Sequence, residues 1–147
     1  MQYANEIIPN LWLGNRNAPQ EVDNLIKNNI KLVINCSKDI IYVIDPNIEV
    51  IRLPIHDINS EESNTILGNK INYLTYIINI YLNNNLGVLV HCYAGVQRSA
   101  TVVLCYLLKY KHMGLAMAKA IMKEKRSIVF FPQPTFNTFI NNYSLLI

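Results

Sequence analysis

Four residues, Val88-Leu89-Val90-His91, run directly into the stretch Cys92 to Arg98, and that stretch runs directly into Ser99 to Lys109, which is apolar nearly all round. A helix with no polar stripe has no solvent face and must sit inside the molecule. A short apolar run bounded by turn signals reads as a strand covered on both faces. A buried strand feeding a buried helix is the repeating step of an α/β fold, so this segment predicts a mainly parallel central sheet flanked by helices.

The flanking pattern supplies the other layers. Ile7-Ile8 and Leu11-Trp12-Leu13-Gly14 read as two short strands about the Pro9-Asn10 turn, and Pro19 to Asn28 carries Val22, Leu25 and Ile26 at helical spacing. Lys31 to Asn35 and Glu49 to Leu53 read as further strands, and Pro54 stops the second. Asn64 to Asn83, Leu115 to Lys125 and Pro134 to Tyr143 read as helices. No repeat, low-complexity tract or linker divides the 147 residues, so residues 1–147 are expected to form one domain.

Composition narrows the function classes. A content of 51% hydrophobic and 16% charged residues is that of a globular chain. The formal charge of +3 contains no run of like charges that would mark a nucleic-acid tail, so any bound anion is met locally. Cys36, Cys92 and Cys105 are odd in number and widely spaced, which suggests neither a disulfide framework nor a metal site and fits a reducing, cytoplasmic compartment. No leader pattern and no membrane-spanning apolar run is evident, and neither membrane nor nucleic acid is expected as a partner. The 20 Asn and 21 Ile suggest an AT-rich genome such as that of a virus or parasite.

In parallel sheets ligands bind at the carboxyl ends of strands, where Cys92 stands. A loop entering a buried helix can curl so that successive N–H groups of Tyr93, Ala94, Gly95, Val96 and Gln97 point inward and hold an anion at the helix N-terminus. Gly95 permits the turn, and the Arg98 guanidinium offers a fork matched to two phosphate oxygens. The same positive surroundings favour a thiolate at Cys92, a nucleophile aimed at phosphorus. Ser99 is placed to hydrogen-bond the sulfur, and His91 to orient the loop without transferring protons. A leaving alkoxide needs a proton donor. Among Asp23, Asp39, Asp45 and Asp57, the last follows a strand end and precedes a helix, the position from which a loop overhangs the anion site. Asp57 is therefore the expected general acid, with His56 the fallback.

His91-Cys92-x5-Arg98-Ser99 resembles the signature of cysteine-dependent protein phosphatases. More specifically, Ile7 to Tyr143 is similar to the dual-specificity phosphatases, including small virus-encoded ones. The likeness rests on Ile8-Pro9-Asn10-Leu11-Trp12-Leu13-Gly14, Leu32 to Asn35, Arg98-Ser99-Ala100-Thr101 with Tyr106-Leu107, and Pro132-Gln133-Pro134-Thr135-Phe136. It implies hydrolysis of phosphotyrosine and of phosphoserine or phosphothreonine in phosphoprotein substrates through a cysteinyl-phosphate, without metal or cofactor. Small viral members often carry an extra N-terminal helix used in dimerisation; this chain begins almost at its first strand, and the oligomeric state stays open.

Two related classes fit less well. Phosphoinositide phosphatases resembling this family place lysines in the loop, and RNA 5'-triphosphatases tend to carry a second His there and Thr after the Arg, where this chain has Ala94 and Ser99. The RNA 5'-triphosphatase is the alternative enzyme. A phosphopeptide-binding pseudophosphatase, which loses Cys, Arg or acid, is the alternative binder. Cys36, ending a neighbouring strand, is read as filler or as a redox partner of Cys92. Cys105 and Trp12 are read as core and His112 as a helix-end cap partner. Lys109, Lys111, Lys119, Lys123, Lys125 and Arg126 are read as a solvated basic face.

Overall fold

A computed structural model describes all 147 residues. The strand β5 (Gly87–His91) is buried along its whole length and holds the middle of a five-stranded sheet. Around it lie β1 (Ala4–Ile8), β2 (Leu11–Gly14), β3 (Ile30–Asn35) and β4 (Glu49–Arg52), in the order β1-β2-β5-β3-β4. β2 and β3 run parallel to β5, and β4 runs parallel to β3; β1 alone is antiparallel, folded back on β2. The carboxyl ends of four strands therefore share one edge, with Gly14 and Asn35 both in register with His91.

Alternate residues of each strand face opposite ways, and the two faces carry separate cores. Leu32, Ile34, Val88 and Val90 join the larger core, while Val33 and Leu89 join the smaller one with Ala18 and Leu25. The larger core is closed by α2 (Glu61–Asn83), α3 (Arg98–Tyr110), α4 (Leu115–Lys125) and α5 (Asn137–Leu146). Residues 99–108 of α3 are all buried, which answers the expectation of a helix without a polar face. The smaller core is covered by α1 (Val22–Lys27) and the single 3-10 turn Ala18–Gln20 before it. No helix is long and apolar enough to cross a membrane.

Several boundaries differ from the sequence reading, and three of these differences have a local reason. The expected helix from Pro19 is split at Glu21, whose carboxylate accepts the Gln2 and Tyr3 amides and the Asn24 side chain, tying the N-terminus across the break. α2 starts three residues earlier than Asn64 because Ser60 caps it, its Oγ accepting the Ser63 N–H at 3.0 Å, with Glu61 and Glu62 favourably placed in the first turn. α5 starts at Asn137 rather than Pro134, since the Thr135 amide is engaged by the Gln97 side chain at 2.9 Å instead of entering a helix. Trp12 packs against the smaller core but is only half-buried, a correction to its reading as core.

Candidate active site

The segment Cys92–Gln97 has no regular secondary structure of its own, yet every carbonyl in it is held from outside. The Cys92 carbonyl meets His91 Nδ1 at 3.3 Å, and the Tyr93 carbonyl accepts the Arg16 N–H at 3.0 Å. Arg126 donates Nη2 to the Ala94 carbonyl at 3.2 Å and Nε to the Gly95 carbonyl at 2.9 Å. The Val96 carbonyl accepts from Phe130 N–H at 2.9 Å, and the Gln97 carbonyl accepts both the N–H and the hydroxyl of Thr101. With the carbonyls drawn outward, the amides of Tyr93, Ala94, Val96 and Gln97 donate to no backbone carbonyl. Peptide planes couple the two groups, so a loop whose carbonyls point out presents its N–H groups to the centre.

Cys92 is buried at the start of this ring. Its Sγ accepts the Gly95 N–H at 3.3 Å and lies 3.1 Å from Ser99 Oγ, which donates to it whenever the sulfur is a thiolate. Gly95 takes φ +68°, and a Cβ there would stand 2.5 Å from the Gly14 carbonyl oxygen and 2.6 Å from Arg126 Nη2. Both the backbone angle and the close approach require glycine. Arg98 opens α3 and reaches back, Nη1 donating to the Ile55 carbonyl at 2.9 Å, while its Nε is buried with no protein acceptor. Ile55 belongs to the connection from β4 to α2. Asp57, two residues further on, is exposed on that connection beside exposed His56. The structure thus brings the expected acid-bearing loop to the expected phosphate loop through Arg98.

His91 is fully buried, and burial pulls its imidazole down to about 4, against the opposing effect of the hydrogen bond to the Cys92 carbonyl. The ring is neutral at ordinary pH. A carbonyl can only accept, so Nδ1 carries the proton and Nε2 accepts from Tyr42 hydroxyl. Burial pushes the Tyr42 phenol upward, which keeps it a donor. Tyr42, half-buried in the irregular stretch after β3, is a loop-supporting residue that the sequence reading passed over.

Two further placements correct the sequence reading. The Gln97 side chain does not face the anion site: its Nε2 donates to the Phe131 and Gln133 carbonyls, at 3.3 and 3.0 Å, and its Oε1 accepts from Thr135. Only the Gln97 backbone amide is left for substrate. Arg126 is not part of a solvated face, although Lys111, Lys123 and Lys125 are exposed. Its side chain lies under the loop with 9% exposure, and besides the two loop carbonyls it binds Asn5 Oδ1 at 2.8 Å. Its partners are carbonyl dipoles and an amide rather than a carboxylate. Arg126→Met should therefore leave the Ala94 and Gly95 carbonyls without donors, costing about 3 kcal/mol of stability and weakening tungstate binding. Arg126→Lys should recover part of both; urea denaturation and calorimetric titration with tungstate check this.

Cys36 is buried one residue past the Asn35–His91 pair, and its N–H donates to the His91 carbonyl at 2.8 Å. Cys36 and Cys92 thus leave the ends of adjacent strands. Burial first, and then the neighbouring Cys92, push the Cys36 thiol well up, with Arg98 opposing them. Cys105 is enclosed in α3, where burial alone raises it, and all three cysteines are free thiols.

The sequence profile of the family described as dual specificity phosphatase, catalytic domain, matches residues 11–144. The chain belongs to that family. It is 32% identical over 134 residues to human dual specificity protein phosphatase 9, matching 90% of this chain and 33% of the relative. It is 36% identical over 128 residues to a candidate tyrosine phosphatase, 123R, of Invertebrate iridescent virus 6, matching 85% of this chain and 81% of that protein. The chain thus spans about a third of the length of the human relative. Human DUSP28 superposes with TM-score 0.87 at 22% identity, over 97% of this chain and 93% of that one. The human tyrosine phosphatase-like serine/threonine/tyrosine-interacting protein superposes with TM-score 0.84 at 24% identity, covering 97% and 96%. At such identities these two neighbours establish the fold and nothing finer. The family match fits the expected α/β phosphatase fold with its phosphate loop between strand and buried helix.

Proposed function

We propose that this domain hydrolyses phosphomonoesters on protein tyrosine, serine and threonine side chains through a cysteinyl-phosphate. The observation carrying the reading is the ring of outward-held carbonyls around Cys92, which leaves inward amides and the unpartnered Arg98 Nε to gather the oxygens of one phosphoryl group. In the first step Cys92 Sγ forms the S–P bond as the P–O bond to the side chain breaks, and Asp57 gives its proton to the departing oxygen. In the second, Asp57 takes a proton from water as the water oxygen attacks phosphorus, and the S–P bond breaks to release phosphate. Ser99 donates to the sulfur as it leaves. His91, neutral and held between Tyr42 and the Cys92 carbonyl, positions the loop and moves no proton. Purified protein assayed side by side on phosphotyrosyl peptide, phosphothreonyl peptide and RNA 5'-triphosphate tests the reading. Turnover of both peptides is expected; turnover of the RNA alone would assign the site to the alternative enzyme, and tight peptide binding without turnover to a phosphopeptide binder.

The position of Cys36 supports a second role at the same site. Peroxide takes a Cys92 thiolate to sulfenic acid; condensation with the Cys36 thiol forms a disulfide and releases water. Strand neighbours lie about 4.8 Å apart, inside the Cα separation of about 7 Å that a disulfide allows. Because burial holds Cys36 protonated, capture is slow compared with that by an exposed thiol. Mild peroxide followed by alkylation and peptide mapping should show a Cys36–Cys92 crosslink. Cys36→Ser should make inactivation harder to reverse with dithiothreitol, whereas identical recovery without crosslink would leave Cys36 a packing residue.

A further inference from the structure

α2 is 23 residues long and carries a glycine, Gly68, in its interior. Glycine inside a helix costs stability relative to alanine, because its backbone loses more freedom on folding. The usual structural reasons for that cost are absent. Gly68 does not take the positive φ that favours glycine, and a Cβ built on it would meet nothing nearer than Phe139 Cε2 at 3.9 Å, an ordinary contact. What the missing side chain leaves is space. An open cavity of about 470 Å³ lies between α2, α5 and the end of α3, a volume in the range of small-molecule sites. None of its lining residues belongs to the catalytic loop or to the connection that carries Asp57.

The lining combines an apolar wall with a single cation. Phe139 and Tyr143 stack with ring centroids 5.9 Å apart and planes 19° from parallel, and Ile71 lines the cavity with them. Lys109, from the last turn of α3, lines it too, whereas no Asp or Glu does. Lys109 Nζ donates to Asn72 Oδ1 at 3.3 Å and lies 5.6 Å from the centroid of the Tyr110 ring, so no carboxylate is among its contacts. An ammonium has three donors, and this one protein acceptor engages one of them. We propose that the cavity binds an amphipathic monocarboxylate, its acyl chain against Phe139, Tyr143 and Ile71 and its carboxylate on Lys109. One anionic group matches one cation. A peptide would instead bring an N–H and a C=O with nearly every residue, and covering those with an aromatic and aliphatic wall costs free energy that an acyl chain avoids.

The test is calorimetric titration and thermal unfolding of the full chain with decanoate, decanol and N-acetyl-leucyl-leucine, each below the concentration at which it aggregates. Neither readout depends on turnover. Decanoate should bind one to one and raise the unfolding midpoint. Decanol should bind about fivefold more weakly, the difference shrinking with added salt and vanishing with Lys109→Gln. Gly68→Ala should raise the midpoint of the free protein by about 3 °C, since it adds helix propensity without a clash. Gly68→Leu, whose side chain fills the cavity, should bind neither decanoate nor decanol. Gly68→Met, unbranched and more adaptable, should do the same and serves where Gly68→Leu does not fold. The site is overturned by an absence of saturable decanoate binding, by binding that survives Gly68→Leu or Gly68→Met, by a preference over decanol that survives Lys109→Gln, or by tighter binding of the leucyl peptide than of decanoate. A lowered midpoint for Gly68→Ala would overturn it as well, because the glycine would then serve the backbone rather than the cavity.

Discussion

Cys92→Ser should abolish turnover of an aryl phosphate, by a factor on the order of 10⁴ or more, while binding of tungstate or phosphate is largely kept. The two effects separate because different atoms carry them. On the proposed reading anion binding rests on the inward amides and Arg98, and the loop is held by outside donors: Arg16, Arg126, Phe130 and Thr101. None of those contacts involves Cys92 Sγ. Serine keeps a small polar atom near the Gly95 N–H and Ser99 Oγ, but its hydroxyl stays protonated at neutral pH and is a poor nucleophile at phosphorus. Arg98→Lys should behave in the opposite way and lose binding together with rate. A single ammonium cannot both hold the Ile55 carbonyl and offer a parallel pair of donors to two phosphate oxygens. Steady-state kinetics on an aryl phosphate and calorimetry with tungstate check both variants. Residual turnover by Cys92→Ser above background would remove the sulfur from the nucleophilic role.

What the sequence made legible follows from distance along the chain. The strand, loop and helix around Cys92 are contiguous, so the loop with Gly95, Arg98 and Ser99 is visible as one local pattern. The position of Asp57 was reachable too, because a residue between a strand end and a helix start must lie at the carboxyl edge of a parallel sheet. The supports of the loop were not legible. Arg126 stands among lysines in a segment whose composition is that of a wet surface, and only the packing of that segment beneath the loop turns this side chain inward. Tyr42 lies in an irregular stretch with no periodicity to assign it a face, and its bond to His91 joins residues 49 apart. Gln97 looked like a substrate-facing member of the loop because it lies within it; its side chain instead braces residues 131–135, which also moved the start of α5. A capping signal at Ser60, by contrast, was present in Ser60-Glu61-Glu62-Ser63 and would have placed the start of α2 correctly.

Asp57→Asn should slow alkyl phosphates by a factor on the order of 10³ while slowing aryl phosphates with good leaving groups far less. A serine or threonine alkoxide is strongly basic and cannot depart unprotonated, whereas a nitrophenolate leaves readily without help; the difference between the substrates reads the proton donor directly. Asparagine keeps the size of the side chain and the loop around it. The tie between that loop and the site runs through the Ile55 carbonyl and Arg98, so the substitution leaves the anchoring in place. Asp57 is exposed, so replacing it exposes no buried partner and the protein should remain as stable as before. Phosphoserine peptide and nitrophenyl phosphate, compared in the same preparation, give the ratio that matters. Equal slowing of the two would move the proton transfer away from Asp57, and His56, exposed on the same connection, would then be replaced in turn. A large loss on the peptide alone would fix Asp57 as the acid of the first step, and with it the direction from which the leaving group must exit the ring of amides around Cys92.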